Sequence, residues 1–378
     1  MGDAAAGAVT LFLAGDVMTG RGIDQALPYP GDPRLWEPAV SDARTYLRLA
    51  EQRHGPVPYP VAPAWPWGEA GEILDQLAPD VRLINLETSV TRRGAPAPQK
   101  AVHYRMTPEN IDCLTAARPH GCALANNHVL DFGQPGLADT LRTLAQAGIR
   151  TAGAGPDLAA AARPAVLPVR SGVRVRFFST ASASSGVPPH WAATADRAGV
   201  WLLPDLSGET ARDLAGRVRQ ARRPGDVTVV SIHWGSNWGY RVDAAQVSFA
   251  HYLVEHGVDV VHGHSSHHPR PIDLHHGRLI LYGCGDLIND YEGIGGYERY
   301  RDDLRLLYLA TLRPGTGELL DLRMVPVQAR RLSLWRAAPA DAAFLCRVLD
   351  QVSRPFGVQI ALTEQGWLAA APDRAAVE

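Results

Sequence analysis

Cysteine is scarce in this chain, with four residues in 378, and none of them stands in a CxxC or metal-finger spacing. All four (Cys113, Cys122, Cys284, Cys346) sit in largely apolar contexts, which predicts reduced thiols in a core and excludes a disulfide framework or a thiolate zinc finger. Excess charge of either sign is missing as well. A formal charge of -2 and a pI near 6.7 give no electrostatic case for nucleic acid or an anionic membrane surface. Arginine greatly outnumbers lysine, which reads as compositional bias. No apolar run approaches the length of about eighteen residues that a membrane helix needs, and the start carries no basic segment ahead of its apolar stretch. The expectation is a soluble cytoplasmic protein with no membrane partner. Internal repeats and low-complexity tracts are also missing.

What is present is 46% hydrophobic residues, enough for a large core. Val9 to Val17 reads as a buried strand ending at Asp16. Val81 to Leu86 ends at Glu87, Gly121 to Ala125 ends at Asn126-Asn127-His128, and Asp226 to Ile232 ends at His233. Val258 to His262 runs into Gly263-His264-Ser-Ser-His267-His268. Helices are expected at Gly68 to Leu77, Gln134 to Ala147, Glu209 to Arg222, Asp243 to His256 and Ala340 to Val352. A polar, Pro-rich stretch from Pro28 to Pro66 contains one further helix at Leu35 to Gln52, and its length marks it as a lid or an oligomer contact. Strands that are continuously apolar and alternate with helices call for sheets covered on both faces. The fold expected is α/β, a four-layer α/β/β/α sandwich. Residues 1–335 would form the main domain, with a helix and hairpin extension at 336–378 packed on it.

Chemistry gathers at the strand ends, where open α/β sheets bind ligands. Imidazoles and carboxylates at the mouth of buried strands serve no packing purpose, but they are favoured ligands of zinc, iron and manganese-type ions. His128 with Asp131 three residues on is a pair in which a carboxylate can orient an imidazole for proton transfer. Arg21, His103, Trp234 and Asp286 are candidate substrate contacts, each of which equally suits a packing or loop role. Trp238 and Tyr240 are candidate pocket walls. His262 and His264 share a strand face by alternation.

The order Asp16, Glu87, Asn127-His128, His233 and His264-x-x-His267 resembles the calcineurin-like metallophosphoesterase superfamily. More closely, Gly15-Asp16-Val-Met18-Thr-Gly-Arg21, Asn85-Leu-Glu87, Asn126-Asn127-His128-Val-Leu-Asp131, His233-Trp-Gly235 and Gly263-His264-Ser-Ser-His267 resemble the CapA family, named for poly-γ-glutamate capsule synthesis. The resemblance spans about Val9 to Asp290. It implies two divalent ions (Mn, Fe or Zn), with Asp16, Glu87 and His267 at one and Glu87, Asn127, His233 and His264 at the other. It further implies a metal-activated hydroxide that attacks a phosphoester, with His128 protonating the leaving group. Met18 stands where the wider superfamily has an imidazole, so the ion on Asp16 is expected to be the weaker. The wider superfamily also spaces its last pair as Gly-His-x-His, so His262 or His268 could replace a ligand. The substrate would be a small molecule or peptide-like. Two alternatives stand beside phosphoester hydrolysis: γ-glutamyl or peptide amide chemistry in polymer or natural-product synthesis, and a non-catalytic metal-stabilised binding protein.

Overall fold

The computed structural model describes residues 7–169 and 172–373. The outer ends of the two expected segments, residues 1–6 and 374–378, lie outside the described residues. Two large sheets organise the α/β chain. In the first, Val9–Val17 lies between antiparallel Leu304–Leu312 and parallel Val81–Leu86. Gly121–Ala123 and Arg150–Ala152 extend it on one side. Leu319–Arg330 and the hairpin of Val358–Leu362 with Leu368–Pro372 extend it on the other. The residues after 336 therefore continue this sheet. The second sheet runs Leu202–Leu203, Arg174–Ser182, Val227–His233, Val260–His264, Arg278–Leu281, Ile272–His275, with Ala165–Pro168 beside Arg174–Ser182.

Period-two alternation explains why both sheets read as unbroken apolar runs. Leu11, Leu13 and Leu83 of the first sheet share one buried cluster with Phe177, Val229 and Val260 of the second. Their strand neighbours point the opposite way. Ile84 and Leu86 pack with Ile73, Leu74, Leu137 and Leu144 from the helices Gly68–Leu77 and Gly133–Gln146. Phe178, Val230 and Ile232 pack with Leu214, Val218, Phe249 and Leu253 from the helices Gly208–Ala221 and Ala244–Glu255.

Two expected elements change. The helix expected from Leu35 begins only at Arg44 and runs to His54, because residues 34–42 are folded back on themselves, the Leu35 N–H bonding the Ser41 carbonyl at 2.9 Å. It buries Tyr46, Leu47 and Ala50, and the preceding segment is tied down where Glu37 pairs with Arg21 at 2.9 Å. The strand expected to reach Ala125 stops at Ala123. There the Asn126 side chain accepts from the His128 and Val129 N–H groups at 3.1 and 3.0 Å, a turn that competes with the ladder.

Two glycines are fixed by space rather than flexibility. A Cβ on Gly15 would stand 1.6 Å from the Gly285 carbonyl oxygen, and one on Gly263 would stand 2.5 Å from that of Leu281. Both lie beside metal-type residues, so these close approaches bring Asp16 and His264 to their neighbours. Among the described residues no helix is long and apolar enough to cross a membrane.

Candidate metal centre

Sheet register does most of the gathering. In the parallel pair Val227–His233 and Val260–His264, His233 lies opposite His264 and Ser231 opposite His262. Val9–Val17 takes Asn85 on one side and Asp286 on the other opposite Asp16, with register shifts beside Asp16 in both pairings. The parallel strands thus end together and present their side chains to one buried volume.

Asp16 is fully buried, accepting from the Asn85 amide at 2.7 Å and the Ser265 N–H at 3.2 Å. His264 Nδ1 lies 3.9 Å from its Oδ1 and 2.8 Å from His233 Nδ1. His233 Nε2 faces Asn127 Oδ1 at 3.1 Å and Glu87 Oε1 at 3.7 Å, and His128 Nε2 lies 3.8 Å from the same Glu87 oxygen. Asp16, His233 and His264 form one compact donor group, and Asp16, His267 and Asp286 another. All six residues of the expected metal set are therefore brought together.

The grouping differs from the implied one in one way. Asp286, expected as a substrate contact, joins Asp16 and His267, with its Oδ1 2.8 Å from His267 Nδ1. His264 lies between Asp16 and His233. Met18 is buried, and the Tyr291 hydroxyl approaches its sulfur at 3.8 Å.

Three expected substrate contacts are placed elsewhere. Arg21 is spent structurally, gripping Asp290 at 3.2 and 2.5 Å and Glu37 at 2.9 Å, with its guanidinium carbon 3.8 Å from the centre of the Tyr46 ring. His103 pairs with the Ala97 carbonyl at 2.8 Å and opens on a different hollow, beside Trp36 and Arg105. Trp234 is core, donating to the Tyr282 carbonyl at 3.0 Å. Both spare histidines are bonded to other groups. His262 bridges Ser231 and the Ala14 carbonyl at 3.1 and 2.7 Å, and His268 has both ring nitrogens committed to backbone, the Gly239 N–H and the Pro269 carbonyl, at 3.0 Å each. Trp238 stacks on Tyr297 with ring centres 4.0 Å apart and lies 5.4 Å from the His267 ring.

A cavity of about 210 Å³ opens on this cluster, lined by Glu87, Lys100, Tyr104, His128, Asn237 and His267 among others. At its wall His128 Nδ1 donates to Asp131 at 2.6 Å, which leaves Nε2 for the cavity. Asp131 also accepts from the Tyr104 N–H at 2.7 Å and from Lys100 at 2.5 Å. Lys100 is the chain's only lysine among 37 basic side chains. Sequence reasoning passed over it inside a Pro-rich loop, although its solitude was a signal available there. Asn85, which orients Asp16, was read only as the head of the Asn85-Leu-Glu87 motif.

Burial sets the electrostatics. Loss of solvent, then the charge of Asp286, pushes Asp16 up to about 7, and burial followed by Asp16 lifts Glu87 well above the usual carboxylate range. Burial holds His233 and His264 well below the usual imidazole value, so both rings are neutral and fit to ligate. His267 is raised: burial lowers it, but Asp286 and Asp16 together outweigh burial. Crowded carboxylates that resist ionising, facing neutral imidazoles and an amide oxygen, form a donor set that suits divalent transition ions.

A pH dependence follows for protein stripped of metal. Asp16 has a folded value near 7, above the roughly 3.9 of an unfolded chain, so its contribution is complete below the lower value and is lost as pH rises through the upper. The buried neutral histidines lose stability only below the roughly 6.5 of an unfolded imidazole, so above it stripped protein is expected to melt at lower temperature at pH 8 than at pH 7, with added manganese or zinc stabilising most at pH 8 because ligation releases protons. Calorimetry at both pH values checks this. A midpoint equal or higher at pH 8 without metal would contradict it.

Comparison with known proteins adds three findings. The family model described as bacterial capsule synthesis protein PGA_cap matches residues 10–291. A probable polyglutamine synthesis accessory protein of Mycobacterium tuberculosis (strain H37Rv) is 52% identical over 365 residues, covering 96% of each chain. The PGA biosynthesis protein CapA of Bacillus subtilis is 26% identical, over 62% of this chain and 58% of that protein.

Proposed function

Because the chain belongs to the bacterial capsule synthesis protein family, we propose that it is a metal-dependent hydrolase with two divalent ions, built as a four-layer α/β/β/α sandwich and serving synthesis of a polyglutamate-type polymer. The observation that carries this reading is the His128–Asp131 pair at the wall of a cavity whose floor is the buried carboxylate–imidazole cluster. Holding metal requires neither residue of that pair, so the pair weighs against a purely structural role for the centre. Asp16, His267 and Asp286 would hold one ion, and Asn127, His233 and His264 the other, with Glu87 between. Bound there, the ions would supply Lewis acidity, lowering the pKa of a water molecule and stabilising charge that develops on the substrate.

The chain's own residues do the rest. Asp131 fixes His128 in the tautomer that leaves Nε2 open to the cavity. Burial pushes His128 down to about 4, so the resting ring is neutral at pH 7. An anionic substrate against Nε2 favours the imidazolium, which can then give its proton to the departing oxygen or nitrogen. A phosphoester is the first bond class, on the order of the strand-end motifs. The names of the relatives, a polyglutamine synthesis accessory protein and a PGA biosynthesis protein, favour a second, the amide bonds of such a polymer. Screening phosphomonoesters, phosphodiesters and γ-glutamyl amides with manganese-, iron- and zinc-loaded protein tests the reading. Turnover that persists in a chelator would sink it.

Met18 yields a further expected result. A thioether is a poor ligand for these ions, so metal titration should give one tight and one looser step, the looser on Asp16. Met18→His should tighten the looser step. Two equally tight steps, unchanged by the substitution, would refute the assignment.

A further inference from the structure

The single lysine stands inside the candidate site. Everywhere else this chain meets its need for positive charge with arginine, 36 times, and the one ammonium lies at the cavity wall beside the His128–Asp131 pair. Lys100 is largely buried, its side chain 14% exposed, and lies 5.0 Å from the centre of the Trp191 ring. It donates to Asp131 Oδ1 at 2.5 Å and to the Asn127 carbonyl oxygen. The third group within reach, His128 Nδ1 at 3.3 Å, is no acceptor, because that nitrogen carries the proton given to Asp131. An ammonium has three donors. Two are used, and one is left without a protein acceptor in a residue that lines the cavity.

The chemistry separates lysine from arginine at this spot. A compact ammonium can hold a carboxylate oxygen and a carbonyl from one point and still offer a third N–H, whereas a planar guanidinium fans its donors over a wider fork. Asp131 balances one positive charge between Lys100 and His128, so an anion entering the cavity meets an ammonium already desolvated and held in place, where ionic hydrogen bonds are strong.

We propose that Lys100 is the anion anchor of the cavity, binding a carboxylate or phosphate oxygen of the substrate next to the group that His128 protonates. The proposal rests on the hydrolase reading for calling the ligand a substrate, but not for the binding itself. The ligand's two sources differ in a way that can be measured: γ-glutamylglutamate presents carboxylates, and inorganic phosphate presents the other oxyanion.

The test is calorimetric titration of metal-loaded parent, Lys100→Met and Lys100→Arg with each probe, alongside elemental analysis of bound metal. Lys100→Met removes the charge and keeps most of the apolar stem, and thermal midpoints establish that each variant is folded. Binding of one probe or both should weaken by roughly tenfold or more in Lys100→Met, with metal content retained and Lys100→Arg failing to restore affinity. The probe whose affinity falls identifies the oxyanion. A second readout uses the lysine's solitude: an amine-specific reagent has one side-chain target, located by peptide mass spectrometry, and γ-glutamylglutamate or inorganic phosphate, whichever binds, should slow its modification. Equal affinity of all three proteins for both probes would overturn the proposal, as would full rescue by arginine. Because neither readout needs turnover, a failure to find a hydrolysed substrate would leave these outcomes interpretable and count only against the hydrolase reading.

Discussion

His128→Ala is expected to lower turnover by about two to four decades while leaving fold and metal content intact, the usual worth of a positioned general acid. The geometry permits this separation. His128 Nε2 stands 3.8 Å from Glu87, and the ring's only short side-chain hydrogen bond is the one to Asp131. The loss should shrink for a substrate whose leaving group has a low pKa, since such a group departs with little protonation. Steady-state rates on a matched pair of good and poor leaving groups check it. Equal rates of mutant and parent on the poor leaving group would remove His128 from the mechanism.

The second large effect concerns ligands. Asp286→Asn and His264→Ala are each expected to reduce bound metal from about two ions per chain toward about one. Asp286 touches only the Asp16–His267 side, and His264 lies between Asp16 and His233, so the two variants should lose ions of different affinity. Asn keeps the shape of Asp286 and can keep its 2.6 Å bond from Asn289 while removing charge, which makes that variant the cleaner probe. Elemental analysis after dialysis decides. Retention of both ions by Asp286→Asn would return Asp286 to a substrate-contact role.

The sequence carried the strand ends and little of what lies between them. Asp16, Glu87, Asn127, His233, His264 and His267 were legible because a polar group closing a buried apolar strand is costly without a purpose. Alternation also put His262 and His264 on one strand face. That His262 is a structural bridge was not legible, because its partner is a backbone oxygen of Ala14, 248 positions away in the other sheet. Asp286 was seen as a substrate contact, and only the bulged pairing with Val9–Val17 shows that it stands opposite Asp16. Arg21 failed for a related reason: Asp290 and Glu37 consume its donors, and no spacing rule announces a tertiary ion pair. The helix misplaced at Leu35 shows the local limit, where the Leu35–Ser41 backbone bond and the Arg34–Asp42 bridge hold a loop in place of the first helical turns.

Anomalous diffraction from crystals soaked in manganese or zinc tests the central claim most directly. Two peaks are predicted, one among Asp16, His267 and Asp286 and one among Asn127, His233 and His264, with Glu87 reaching both at ligand distances of about 2.0–2.2 Å. An absence of peaks there, with metal found only at the surface group of Glu255, His275 and His276, would contradict the account.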